Sequence, residues 1–366
     1  MKVLVTGAKG FVGRNLCLEL KNKGYEVLSY DLNNTKEELD LFLKEAEFIF
    51  HLAGVNRPKD ASEFKKGNQD FTSLILDKLR KFDSKAPIVF TSSIQATRDN
   101  DYGKSKKGAE EVLKKYGIET ENIVYPLRLA NLFGKWSRPN YNSVIATWCF
   151  NVARDLDIVI NDPETVLELT YIDDLVAVFM SLLQEPNIKK TVRIPTFSVK
   201  LGEIARLLNE FKKSRQSLDI KYLNDSFAQK LYATYLSYIP TDKFSYPLVT
   251  HSDNRGSFTE LIRLGMLGQV SVNIIKPGIT KGNHYHHTKN EKFIVVKGEA
   301  EIAFRLIGTK EIIRYVVNDK KFEVVDIIPG YTHSIKNIGK DDAVVIMWAN
   351  ETFDPNNPDT VFELVE

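Results

Sequence analysis

Short apolar runs alternate with helical patterns from residue 1 to about 240. Lys2–Thr6, Glu26–Tyr30, Phe48–Leu52 and Ile88–Ser92 read as strands, and Phe11–Lys23 and Lys104–Lys115 as helices. Short strands that are wholly apolar and alternate with helices predict a parallel sheet covered on both faces. Beyond about Tyr246 the texture changes. Gln269–Ile275, Lys292–Val296, Ala300–Leu306, Glu311–Val317, Phe322–Ile327 and Ala343–Trp348 are strand-like runs separated by turn residues, with no helical pattern between them. Closely spaced strands of this kind predict a sandwich or small barrel. The chain therefore reads as an α/β domain over residues 1–243 and an all-β domain over 247–366, with Ser237–Tyr246, containing Pro240, as the linker.

Composition changes this picture little. A length of 366 residues accommodates two domains at the usual ~100–200 residues each. Fifty Lys and Arg against 48 Asp and Glu leave a net charge of +2, which gives no reason to expect nucleic acid or a membrane surface as partner. Cys17 and Cys149 are the only cysteines and sit in apolar surroundings, so both read as buried thiols in a reducing compartment. Met1–Val5 runs directly into a glycine-rich turn, and no apolar stretch reaches the ~20 residues of a membrane span. The expectation is a cytoplasmic protein.

The first strand is followed by Thr6-Gly7-Ala8-Lys9-Gly10-Phe11-Val12-Gly13, which opens the first helix. A dinucleotide pyrophosphate can rest on a helix N-terminus only where the backbone approaches it closely, so Gly7, Gly10 and Gly13, with Phe11 and Val12, are candidate cofactor contacts. Asp31 ends the second strand, where a carboxylate either accepts from an adenosine ribose, favouring NADH, or caps the next turn. Tyr102 and Lys106, four residues apart, share one face of a helix. A hydride reaching a carbonyl carbon requires a proton at the oxygen. A tyrosine near an ammonium can deliver it, with Ser93 at a strand end holding the same oxygen.

These residues resemble the extended short-chain dehydrogenase/reductase family, through Gly7/Gly10/Gly13, Ser93 and Tyr102/Lys106. His51-Leu52-Ala53-Gly54 is similar to the family's segment beneath the adenine and ribose, and Asn68 to its helix asparagine. Leu127-Arg128 through Asn131, Phe133 and Gly134 resembles its substrate segment, and Tyr171-Ile172-Asp173-Asp174 a late signature. The resemblance implies a Rossmann-type fold, a nicotinamide cofactor and a nucleotide-linked sugar. Ser92-Ser93-Ile94-Gln95 lacks the acid–base pair that the family's 4,6-dehydratases carry there. Reduction or epimerisation therefore fits better than dehydration.

In the second half, His284 and His286 are two apart on one strand face, Glu291 opens the next strand, and His333 can close the set. Four of the chain's six histidines fall at positions 284, 286, 287 and 333. Three imidazoles and a carboxylate suit Zn²⁺, Fe²⁺, Mn²⁺ or Ni²⁺. Gly278, His284, His286, Glu291 and Gly298 have the spacing of the first cupin motif, and Pro329, Gly330, His333 and Asn337 keep part of the second, so this half resembles a cupin jelly-roll barrel. Asp253-Asn254-Arg255-Gly256-Ser257-Phe258-Thr259-Glu260 is similar to a substrate-binding segment of cupin-type keto-sugar 3,5-epimerases, and equally suits a turn closed by an Arg255–Glu260 ion pair. His287, Lys289 and Lys292 are candidate acid–base groups by proximity in sequence.

An epimerase and a reductase in one chain form a coherent pair, one making what the other consumes. The whole chain is similar to a bifunctional bacterial family of capsular polysaccharide and O-antigen synthesis, notably through Phe133-Gly134-Lys135-Trp136 with Pro139–Thr147, and through Lys276–His284. That resemblance implies C3 epimerisation of a UDP-linked 2-acetamido-2,6-dideoxy-4-ketohexose at Zn²⁺ and C4 reduction by NADPH. It further implies Asn131, Arg138, Arg255 and Glu260 as substrate contacts, and a homodimer. Rival readings are a cupin oxygenase fused to a sugar dehydrogenase, and a non-catalytic sensor of NADP and sugar.

Overall fold

The computed structural model describes residues 1–186, 192–220, 225–253, 256–259, 263–264, 269–351, 356 and 358–366. The chain divides into two compact units. One comprises Met1–Phe133, Tyr141–Ser143 and Leu167–Ser198, the other Gly134–Asn140, Val144–Val166 and Val199–Glu366.

The first unit is built on five parallel strands, β1 (Lys2–Thr6), β2 (Glu26–Tyr30), β3 (Phe48–His51), β4 (Ile88–Ser93) and β5 (Val124–Leu129), in the order β2-β1-β3-β4-β5. Alternate strand residues point to opposite faces, and each face has its own core. Val3, Val5, Phe48 and Phe50 pack with Leu16 and Leu20 of helix Phe11–Asn22 and with Phe179 and Leu183 of helix Ile172–Gln184. Leu4, Ile49, Ile88 and Phe90 pack on the other side with Leu39, Leu76, Leu79, Leu113 and Tyr116. Strands buried on both faces explain the unbroken apolar runs in the sequence.

From β1 the chain winds outward to β2, then returns across β1 to lay β3 on its far side. This reversal opens a crevice at the carboxyl ends of β1 and β3, the usual cofactor position in such sheets. The backbones there are too close for side chains. A Cβ on Gly7, whose φ is +69°, would lie 2.9 Å from the Ala53 amide nitrogen, and one on Gly13 would lie 2.1 Å from the Gly7 carbonyl oxygen.

Helix Asp101–Thr120 starts three residues before the apolar pattern indicates, because Asn100 caps it by accepting from Gly103 N–H at 2.7 Å. Tyr102 therefore lies in its first turn.

The second unit contains helices Val144–Val152, Leu201–Ser217 and Ser226–Leu236 and an all-β part. Two five-stranded antiparallel sheets form the latter. Ser245–Pro247, Glu323–Ile327, Glu291–Lys297, Ala343–Ala349 and Gln269–Ile275 make one, in that order. Ile312–Asn318, Glu299–Leu306, Tyr331–Asn337, Thr280–Tyr285 and Val361–Phe362 make the other. Phe293, Val295, Ile302, Phe304, Val325, Ile335 and Val345 are buried in this cupin jelly roll.

Ser237–Tyr246, the expected linker, is well packed. Tyr238, Ile239 and Phe244 are buried, and the Phe244 ring meets Phe304 at 5.5 Å and Tyr331 at 5.3 Å. A segment carrying this many large rings gains more from packing than from solvation. Cys17 and Cys149 are buried, and burial raises both thiols, Cys17 to about 11. Among the described residues no helix is long and apolar enough to cross a membrane.

Candidate active sites

The end of β4 and the first turns of helix Asp101–Thr120 bring Ser93, Tyr102 and Lys106 together. Tyr102 is partly buried; burial raises its pKa and Ser93 opposes the rise. Lys106 is 4% exposed. Its ammonium donates to the Thr91 carbonyl at 3.0 Å and lies 5.2 Å from the centre of the Phe90 ring. Burial pushes Lys106 down to about 8, with Glu110 one turn along pulling the other way.

The Lys106 ammonium is turned toward the sheet. It stands beside the crevice, where a Cβ on Gly54 would lie 3.0 Å from Nζ and 2.8 Å from the Asn68 side-chain oxygen. Gly7, Gly10, Gly13 and Gly54 leave backbone open along the crevice that begins at helix Phe11–Asn22, a cradle suited to a dinucleotide.

One directed chain of hydrogen bonds fixes this crevice. Ala53 N–H donates to Thr6 Oγ1 at 3.2 Å, so the Thr6 proton is free to point at His51 Nδ1, 2.7 Å away. His51 Nε2 then carries the ring proton and donates to Thr72 Oγ1 at 2.9 Å, and Thr72 donates to the Asn68 carbonyl at 2.6 Å. Asn68 lies in a π-helical turn, Lys65–Asp70. Its side chain accepts from Val55 N–H at 2.9 Å and donates to Ser105 Oγ at 2.9 Å, and Ser105 donates to the Tyr102 carbonyl at 2.8 Å. The segment Leu52–Gly54 is thereby tied to the helix that carries Tyr102 and Lys106.

Asp31 does what the alternative reading allowed: its carboxylate accepts from Lys9 N–H and Leu32 N–H at 2.7 and 2.8 Å. It fastens the glycine turn to the end of β2. Asn131 is exposed and donates to the Glu168 carbonyl at 3.2 Å, and Arg138 is exposed within Gly134–Asn140. Arg255 and Glu260 lie outside the described residues.

In the jelly roll, His284 and His333 are cross-strand neighbours, with a bulge after Gly282 that turns the strand. His284, His286, Glu291 and His333 bring candidate ligand atoms within 4.8 Å of one another. His286 Nε2 and His333 Nε2 stand 3.4 and 3.7 Å from Glu291 Oε2. Both imidazole nitrogens are buried without a hydrogen-bond partner. Buried polar atoms converging on one point without partners fit a cation. Burial pushes His284 down to about 4 and His333 well below the usual histidine range, which keeps the imidazoles neutral, as ligands must be.

The three candidate acid–base groups separate. The Lys289 ammonium is 3.8 Å from Glu291 Oε1 and 3.1 Å from Thr360 Oγ1, and the His287 ring packs against Tyr285 at 5.5 Å. Lys292 is a correction: adjacent to Glu291 on a strand, it points to the opposite face. There it is held by Asp326 at 2.5 Å and Tyr246 at 2.8 Å, and Arg215 Nε stands 3.4 Å from the same carboxylate. Burial is the largest single influence and opposes its charge, but Asp326, Tyr232 and Tyr246 together outweigh it and raise the Lys292 pKa.

Fold and side-chain placement together define an oxidoreductase of the short-chain dehydrogenase type sharing its chain with a cupin. The chain belongs to the NAD dependent epimerase/dehydratase family, whose model matches residues 3–194, and residues 251–361 match the polysaccharide biosynthesis C-terminal domain. It uses a nicotinamide cofactor. It is 46% identical over 364 residues, 98% of each chain, to UDP-2-acetamido-2,6-beta-L-arabino-hexul-4-ose reductase of Pseudomonas aeruginosa. A crystal structure of the capsular polysaccharide assembling protein CapF from Staphylococcus aureus matches all of both chains at 50% identity and a TM-score of 0.69. UDP-N-acetylglucosamine 4-epimerase from Bacillus cereus matches 58% of this chain and 82% of its own at 21% identity and a TM-score of 0.52, a likeness of fold.

Sequence reasoning missed Thr6, Thr72 and Ser105, whose hydroxyls only acquire meaning once distant strands meet. It also missed Glu110, which accepts from Ser92 at 2.5 Å and from Arg128 through two bonds of 2.9 and 2.8 Å. The four-residue spacing from Lys106 to Glu110 was the available signal.

The neutral His51 has a measurable consequence. Burial first, then Lys106, push it down to about 3, against about 6.5 in an unfolded chain. Its contribution to stability is present above pH 6.5 and is lost as the pH falls toward 3, since the unfolded state binds the extra proton. Urea unfolding of the full chain, followed by the circular dichroism of its helices, will show a midpoint that drops between pH 6.5 and 4. A midpoint that stays level through this window would contradict the assignment.

Proposed function

We propose that the cupin epimerises C3 of UDP-2-acetamido-2,6-dideoxy-4-ketohexose and that the other active site reduces C4 with NADPH. The product is UDP-2-acetamido-2,6-dideoxy-L-talose, a precursor of UDP-N-acetyl-L-fucosamine. The observation that carries this reading is a Ser93–Tyr102–Lys106 set and a three-histidine, one-carboxylate set in one chain. That chain aligns end to end with a named 4-keto-sugar reductase.

NADPH supplies the hydride when bound. Ser93 and Tyr102 hydrogen-bond the C4 oxygen, and Tyr102 gives it the proton that completes the alcohol. Lys106 orients the cofactor ribose and keeps positive charge beside the crevice. The open backbone at Gly7, Gly10, Phe11, Val12, Gly13, Leu52, Ala53 and Gly54 receives the dinucleotide. Asp31 is already occupied by two backbone N–H groups, so it does not dictate NADH over NADPH.

His284, His286, Glu291 and His333 hold a divalent cation, in our reading Zn²⁺, which supplies Lewis acidity toward the C4 ketone and so acidifies the C3 proton. His287 and Lys289 are the groups that take and return that proton. Asn131, Arg138, Arg255 and Glu260 contact the nucleotide sugar. We assign the protein to the cytoplasm, where nucleotide sugars are made.

Among the described residues, strand Gln269–Ile275 ends its sheet with Val270, Val272 and Ile274 all more than half exposed. An apolar open edge favours pairing with a second copy across a two-fold axis. Val272→Lys will shift the sedimenting species from dimer to monomer. A wild-type chain that sediments as a monomer at micromolar concentration would overturn the dimer.

The central test offers the 4-keto UDP-sugar and NADPH to the protein in D₂O. Deuterium at C3 together with NADPH consumption is expected. Tyr102→Phe will keep the C3 exchange and lose at least about 100-fold in NADPH consumption. NADPH consumption without any deuterium at C3 would remove the cupin from the reaction.

Lys106 sets the alkaline limit of the reductase. With a pKa near 8, kcat/KM for NADPH consumption will decline above about pH 8. Lys106→Arg, slower but charged throughout, will show no such limb up to pH 10. An identical limb in both proteins would assign it to another group.

A further inference from the structure

The C-terminal segment reaches back into the metal site through a residue that neither sequence nor family comparison marks. The Asp359 carbonyl accepts from His286 Nδ1 at 2.5 Å. A carbonyl can only accept, so Nδ1 carries the proton and Nε2 keeps its lone pair for the cluster. The Asp359 carboxylate closes the turn between two of the ligands. One oxygen accepts from His287 N–H at 2.8 Å; the other accepts from Thr288 N–H, Lys289 N–H and the Thr288 hydroxyl at 2.7, 2.6 and 3.0 Å.

The residues that follow continue the attachment. Val361 and Phe362 pair with Tyr285 and His284, and Glu363 N–H donates to the Asn283 carbonyl at 2.9 Å. Thr332, next to His333, donates to the Glu363 carbonyl. Arg305 holds the end of the segment by donating to the Val365 carbonyl at 3.0 Å. The strands that carry His284 and His333, and the turn after His286, are therefore all fastened to one stretch of nine residues, 358–366.

We propose that Asp359 is the positioning residue of the metal site, presetting the His286 tautomer and the turn from His286 to Glu291 so that the four ligands converge before the cation arrives. The proposal rests on the reading of His284, His286, Glu291 and His333 as ligands. Asp359→Ala keeps the main-chain carbonyl but removes the carboxylate that closes the turn over 287–289 and so holds that carbonyl against His286. Loosening a ligand's outer hydrogen-bond partner in this way is expected to weaken metal binding by about 10–100-fold.

The test is Zn²⁺ affinity of the full-length protein, by competition with a chromophoric chelator, for wild type, Asp359→Ala and Asp319→Asn. Asp319 is an equivalent carboxylate that accepts from Gly298 N–H at 2.8 Å in an exposed turn. Asp359→Ala is expected to bind Zn²⁺ 10–100-fold more weakly with an altered visible spectrum of the Co²⁺ form. Asp319→Asn is expected to match wild type. Equal affinity in wild type and Asp359→Ala overturns the positioning role and leaves the metal site standing. No Zn²⁺ binding by wild type overturns both. Should Asp359→Ala fail to fold, Asp359→Asn retains a single acceptor and an intermediate affinity is expected; wild-type affinity in that variant overturns the proposal.

Discussion

The reductase site depends on keeping a lysine ammonium where water scarcely reaches it. Lys106 has no carboxylate within ion-pair distance among the described residues; a carbonyl and the face of Phe90 are what it has. Such a cation is expensive to bury, and the surroundings are arranged around that cost. Glu110 stands one turn away with its charge shared among Ser92 and Arg128, and His51 stays neutral on the other side. The glycine at position 54 leaves the ammonium open toward the crevice alone. A site held this way can respond to an arriving nucleotide, since the charge is unspent.

The jelly roll solves a different problem. Its four ligands come from three strands and a turn, so convergence is a matter of sheet register. The bulge at Gly282, with Asn283 at a φ of 58°, shifts that register and brings His284 opposite His333. On the outer face the same strand that opens with Glu291 carries Lys292 into a buried cluster with Asp326, Arg215 and Tyr246. A buried charge cluster of this type contributes little net stability but penalises any one-residue slip. A slip there would exchange Glu291 for Lys292 in the metal site.

Much of this was legible in the sequence. Periodicity located four of the five parallel strands, three of which, β1, β3 and β4, are buried almost throughout, and missed β5, whose exposed Arg128 breaks the apolar run. The glycine, Tyr-Lys and His-His-Glu spacings are short-range properties of the chain. What sequence could not show is what depends on pairing across long separations. Asp359 lies 73 residues from His286, and Thr6 and Thr72 flank His51 from two different elements. The direction of Lys106 also escaped, because spacing places it on the Tyr102 face of the helix without saying which way a long side chain turns. Lys292 misled for the opposite reason: nearness in a strand guarantees the wrong face for immediate neighbours.

Asn100 carries a consequence of its own. Helix Asp101–Thr120 presents three lysines in quick succession, Lys104, Lys106 and Lys107, and Lys106 alone among them is buried. Each added residue rotates a helix by about 100°, so the cap acts as a phase setting that decides which lysine the sheet sees. Across variants of this protein the quantity to be preserved is then the number of residues between cap and lysine. Point changes on the helix's outer face would pass unnoticed, whereas a single deletion between Asn100 and Lys106 would bring Lys107 into the place of Lys106 while leaving the helix intact.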